Sequence, residues 1–311
     1  MWSGLWKHRR RVFKLACSGA CFLILGGVGF SLLVAYRLTH RAQKTFVEVV
    51  PKAPKFDVEL LRLKTSDGEE IGGWYIPGEP HQPVVILIHG NGGHRATRWP
   101  QAVFLKQAGY SVLLITCRAH GDSTGSTNDV GYSARNDVVA AVRWLQAKDL
   151  NRPIVIWGAS LGSAAAIFAM PDVGKDVQGL ILECPYRDLE TAVWQRMQYY
   201  LPPVLDRLGY LGIRIAGGIF LPHLHEISPL KGMKMIPVSV PVLILAGGAD
   251  RRARPSEAEE LHEQIASHSR FEIIENADHL KLWETNEVQC RATILKFLET
   301  DLRRNSAKRD Q

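Results

Sequence analysis

From residue 84 onward the chain repeats one pattern, a short apolar run without internal alternation followed by an amphipathic stretch. The runs are Val84–Ile88, Ser111–Thr116, Ile154–Trp157, Gly179–Leu182, Val242–Ala246 and Phe271–Ile274. Strands covered on both faces need apolar residues at every position, whereas a half-exposed strand alternates. Helical patterns fill the gaps, at Trp99–Gln107, Ala134–Gln146, Leu161–Met170, Ser256–Ala266 and Val288–Leu298. Two extended stretches precede them, Val58–Thr65 and Ile71–Ile76, split by the turn Ser66-Asp67-Gly68. The expected fold class is α/β, with a mostly parallel eight-stranded sheet and helices on both faces. In such sheets chemistry sits beyond the C-terminal strand ends.

Between Tyr186 and Val240 the rhythm breaks. About 55 residues separate two strands there, far more than an ordinary connection needs. The stretch holds Trp194, Tyr199, Tyr200, Tyr210 and Phe220. A helical cap over the site is the expected arrangement.

The N-terminus has a different physical character. Leu15–Tyr36 carries no charge over 22 residues, and Lys7, Arg9, Arg10, Arg11 and Lys14 precede it. About 20 apolar residues in a helix cross the hydrocarbon core of a bilayer. The run is longer than a signal-peptide core, and no small-x-small cleavage site follows it. The layout expected is a basic flank (1–14), a transmembrane anchor (15–36), a linker (37–55), an α/β domain (56–302) with its insert at about 186–240, and a polar tail (303–311). Five cations before the span against three after it (Arg37, Arg41, Lys44) place the N-terminus in the cytoplasm and the remainder on the exported side.

Charge follows the same division. The chain is +7 overall, yet residues 1–55 hold ten basic side chains and one acid, while the remainder holds 28 bases and 30 acids. The basic balance belongs to the anchor region, so no nucleic-acid partner is expected. Five cysteines, an odd number, make no disulfide framework. Cys117, Cys184 and Cys290 lack the spacing of metal ligands, and no metal or cofactor is expected.

The strand Ile154–Trp157 runs into Gly158-Ala159-Ser160-Leu161-Gly162. A G-x-S-x-G between a buried strand and a small-residue helix lifts a serine hydroxyl above the sheet on a tight turn. That serine needs a base and a carboxylate to orient the base. In chain order Ser, acid, His, two strand ends supply them: Asp250 after Gly247-Gly248-Ala249, and His279 after Asn276-Ala277-Asp278. Glu183, which also ends a strand, is the rival acid. Ser160 is expected as nucleophile, Asp250 as the orienting carboxylate and His279 as general base and acid. The N–H groups of Asn91 and Leu161 are expected to receive the oxyanion.

With His89-Gly90-Asn91-Gly92, Arg118-Ala119-His120-Gly121-Asp122-Ser123-Thr124-Gly125, the elbow at Gly158–Gly162, Asp250 and His279 all in place, the chain resembles the α/β-hydrolase superfamily. The likeness is nearest its serine-aminopeptidase-like and monoacylglycerol-lipase-like branch. The resemblance implies the α/β-hydrolase fold, serine hydrolysis of an ester or related acyl bond, and structural roles for Arg118 and His120. An acyltransferase with the same residues and a non-catalytic binding protein are the alternatives. A small or lipid-derived acyl substrate is the expected partner. Oligomeric state is not legible.

Overall fold

The computed structural model describes residues 2–41, 45–148, 152–221 and 223–302. The tail expected over 303–311 lies outside the described residues. The strands are β1 (Glu59–Lys64), β2 (Glu70–Ile76), β3 (Val84–Ile88), β4 (Ser111–Ile115), β5 (Ile154–Ala159), β6 (Gly179–Glu183), β7 (Val242–Gly247) and β8 (Ser269–Ile274). They form one eight-stranded sheet in the order β1-β2-β4-β3-β5-β6-β7-β8. The first three in that order pair antiparallel, and the rest are parallel.

The helices are α1 (Trp2–Thr39), α2 (Trp99–Gln107), α3 (Arg135–Ala147), α4 (Leu161–Val173), α5 (Leu189–Tyr200), α6 (Leu205–Phe220), α7 (Pro229–Met233), α8 (Pro255–Glu263), α9 (Leu282–Thr285) and α10 (Glu287–Lys296). Alternate residues of each central strand feed opposite layers. Ile86, Ile156, Leu182 and Ile244 pack with α3, α4 and α8, and Leu87, Trp157, Ile181 and Leu245 pack with α2 and α10. Each such buried side chain contributes about 1.5–3 kcal/mol over leaving it exposed. The apolar runs lack alternation because both layers are dry.

β3 lies between β4 and β5, so the strand order reverses beside it. Ile88 pairs with Gly158 in register, which sets the loop after β3 against the turn after β5. This is the crevice in which open α/β sheets place ligands. The 186–240 insert forms α5, α6 and α7. Asp188 caps α5 by accepting the Thr191 N–H at 2.7 Å, and Ser228 caps α7. Tyr186, Leu189, Ala192 and Leu221 join the insert to Ala164 of α4.

α1 is continuous from Trp2 to Thr39, so helix extends through the basic flank and three residues past the expected span. Its segment Val12–Thr39 is long and apolar enough to cross a membrane. Within the stretch expected as a linker, 37–55, Thr39, Arg41, Glu48 and Ala53 bond to the domain. The Thr39 carbonyl accepts the Asn128 N–H and the Ser126 carbonyl accepts the Arg41 N–H, both at 2.8 Å. Arg41 also donates to the carbonyls of Gly121 and Gly125. Glu48 is buried and accepts from Thr116 Oγ1 (2.6 Å) and Arg95 Nη1 (3.0 Å). A buried carboxylate is retained only when paired and hydrogen-bonded, and this one has both.

Candidate active site

β5 delivers the chain into a sharp bend. Ser160 has φ +50°, a left-handed value that side-chain-bearing residues seldom adopt. Two glycines allow it. A Cβ on Gly158 would lie 2.2 Å from the Gly162 carbonyl oxygen, and one on Gly162 would lie 2.8 Å from that of Ile88. The bend is held by the Ser160 N–H, which donates to the Glu183 carbonyl at 2.8 Å. Ser163 Oγ donates to the Gly158 and Glu183 carbonyls. α4 begins immediately after, at Leu161. First-turn amides have no partner inside their helix, so the Leu161 N–H is a donor at the foot of the Ser160 side chain.

The ends of β7 and β8 bring the other groups. His279 Nε2 stands 3.0 Å from Ser160 Oγ, and its Nδ1 stands 2.6 Å from Asp250 Oδ2. Asp250 is fixed from the far side, where Oδ1 accepts the N–H groups of Arg252 (2.8 Å) and Ala253 (2.9 Å). That carboxylate orients the ring with Nδ1 protonated, leaving Nε2 to accept from the serine. All three side chains are at most 5% exposed. The rival Glu183 is committed elsewhere, since its Oε2 accepts from Arg98 Nη2 (2.7 Å) and Trp157 Nε1 (3.0 Å). Asp278 accepts the N–H of His279 rather than touching its ring.

The loop after β3 closes the site. The Gly93 N–H bonds the Gly90 carbonyl at 3.0 Å, with Gly92 at φ +75°. This four-residue turn needs a glycine at that position and does not use the Asn91 N–H. A Cβ on Gly90 would lie 3.7 Å from Ser160 Cβ, so the turn abuts the elbow. Two residues after β4 hold the turn, a role not legible in their spacing. His120 Nε2 accepts the Gly92 N–H at 3.2 Å while its Nδ1 donates to the Arg118 carbonyl at 2.8 Å. Burial pushes the His120 ring below its ordinary pKa, consistent with one nitrogen donating and the other accepting. Asn128 Nδ2 donates to Asn91 Oδ1 at 2.8 Å.

Arg118 itself is structural, bonding Asp67 at 2.6 Å and Asp137 at 2.9 Å. Cys184 borders the site. Its sulfur and single atoms of Asp250 and His279 lie within 4.8 Å of one another. Burial, with Glu183 and Asp250 nearby, pushes that thiol well above its ordinary pKa. The other two groups already bond each other, so this trio is a poor fit to a metal ion.

The comparisons with known proteins agree with this architecture. Residues 79–216 match the family model described as serine aminopeptidase, S33. The chain is 31% identical over 222 residues to an uncharacterized protein of Mycobacterium tuberculosis, covering 70% of each. It is 28% identical over 186 residues to the lysophosphatidylserine lipase ABHD12 of Danio rerio, covering 55% of this chain and 44% of that one. The solved structure of the Pyrococcus furiosus esterase Pf2001 superposes with a TM-score of 0.69 at 24% identity, covering 83% of this chain and 96% of that one. By fold, by family model and by relatives, this chain belongs to the α/β-hydrolase superfamily and is a hydrolase akin to its esterases and lipases.

Proposed function

We propose that the protein is a membrane-anchored serine hydrolase that cleaves a carboxylic ester through an acyl-serine intermediate, with Ser160, His279 and Asp250 as its catalytic triad. The observation that carries this reading is the unbroken relay from Asp250 Oδ2 through the His279 ring to Ser160 Oγ, at 2.6 and 3.0 Å. Ser160 Oγ attacks the acyl carbonyl as its proton passes to His279 Nε2. Asp250 stabilises the imidazolium so formed. The developing oxyanion is received by the N–H groups of Asn91 and Leu161, donors fixed before reaction begins. Collapse of the tetrahedral species expels an alkoxide, which takes the proton back from His279. Water then attacks acyl-Ser160 by the same route.

The similarity to a lysophosphatidylserine lipase and an esterase supports an ester of lipid origin as substrate. In this reading 15–36 is the anchor, 56–302 the catalytic domain and 186–240 its cap. The greater number of cations before α1's apolar segment supports a cytoplasmic N-terminus and an exported catalytic domain. A panel of acyl esters of graded chain length, hydrolysed by the full chain in vesicles, tests the reading. Turnover absent from Ser160→Ala is expected. Equal turnover by that variant contradicts it.

A further inference from the structure

α6 presents an apolar face that the protein does not cover. Val204, Leu208, Leu211, Ile215 and Ile219 recur every three or four residues, and each is more than half exposed. That spacing places them on one side of a helix. The opposite side, with Ile213 and Gly217, is buried. Arg207 and Arg214 leave by another flank, where Arg214 bonds Glu190 of α5 at 3.1 Å.

The bare face adjoins α1. A Cβ on Gly212 would lie 2.2 Å from Ser31 Oγ, and the ring of Phe220 meets those of Tyr36 and His40 edge-on. Both helices advance in the same sense between these contacts, by about 12 Å along α6. α6 therefore flanks the last turns of the apolar segment, beside the exposed Phe30 and Leu33 of α1. In the seam between the two helices is an apolar cavity walled by Ala35, Leu38, Val193, Ile213 and Gly217. It reaches Val130, whose neighbour Gly131 abuts Leu161 at the head of α4.

We propose that α6 is seated in the bilayer that α1 spans, with its apolar face against lipid acyl chains, so that the cap meets its substrate within the membrane rather than in water. The continuity of the two apolar surfaces names the occupant. A helix packed along a spanning segment shares its depth, and an apolar arc at that depth is solvated by hydrocarbon. The proposal rests on reading α1 as an anchor.

The test uses the full chain with Cys17→Ser and Cys21→Ser, the thiols exposed on α1. Single substitutions Leu208→Cys and Ile215→Cys are labelled with bimane and reconstituted in phosphatidylcholine vesicles carrying brominated acyl chains. Phe30→Cys on α1 and Leu60→Cys on β1 are the references. Quenching at both α6 positions within about twofold of that at Phe30, and well above that at Leu60, is the expected result. Quenching no greater than at Leu60 overturns the proposal while leaving the anchor intact. Oxidative cross-linking between chains at an unquenched position assigns the face to a second copy and overturns it too. No quenching at Phe30 removes the anchor, and the proposal falls with it.

Discussion

His279 Nε2 and Ser160 Oγ, 119 positions apart in the chain, stand 3.0 Å from each other beyond the ends of two parallel strands. Groups that act as one unit lose their effect together. Ser160→Ala and His279→Ala should each lower kcat by about 10⁴-fold or more, and the double variant by little beyond either. Steady-state kinetics on one soluble ester decide it. Multiplying losses would mean that the two side chains act separately.

Asp250 bonds the ring at 2.6 Å and is itself held by two backbone N–H groups. Asp250→Asn keeps the size of the side chain and an acceptor for those amides, so the fold should stand. The ring would lose its orienting charge, and kcat should fall by about 10⁴-fold. Circular dichroism and kcat measured together separate this outcome from unfolding. A variant with ordinary turnover would exclude Asp250 from the relay.

Asn128 ties the end of α1 to the turn after β3. Its N–H bonds the Thr39 carbonyl and its side chain bonds Asn91, each at 2.8 Å. Asn128→Ala leaves the backbone bond and removes the support for Asn91, together with the bond that Asn128 Oδ1 accepts from the Val130 N–H at 3.1 Å. A modest misplacement of a catalytic donor costs up to about 10²-fold, so kcat should drop roughly tenfold with KM little changed. A change confined to KM would place Asn128 in substrate binding instead.

Much of this was legible because burial on both faces leaves a plain mark. The run Val84–Ile88 and the helix Trp99–Gln107 have the bounds read from the sequence. β8 begins two residues earlier than its apolar run, at Ser269, because an edge strand admits polar residues such as Ser269 and Arg270. Asp250 and His279 were legible as polar residues just past strand ends. The resemblance marked His120 only as structural, and neither its bond nor that of Asn128 to the turn after β3 was legible, because their partners lie about 28 to 37 residues away and no periodicity reports such a bond. The docking of Thr39, Arg41 and Glu48 was hidden for the same reason. It depends on where Thr116, Gly121 and Ser126 end up in space.

Glu257 sits where α8 meets the cap, accepting from the Gln195 side chain and the Arg187 N–H. Burial raises its carboxyl to about 7. A carboxyl raised on folding favours the folded state while protonated. That contribution is full below the unfolded pKa, near 4.5, and is lost as pH climbs through about 7. Glu257→Gln, neutral throughout, should therefore have a higher Tm than the parent at pH 8.5, with the difference closing toward pH 5. Parallel Tm curves for the two proteins would show that this group does not titrate on folding.

A fluorophosphonate offered to the full chain in vesicles, with the adduct located by mass spectrometry, tests the central claim most directly. It reports whether Ser160 is an activated nucleophile without requiring the natural substrate. The account predicts one adduct on Ser160, abolished in His279→Ala and in denatured protein. Labelling at another serine, or none at Ser160 in folded protein, contradicts it.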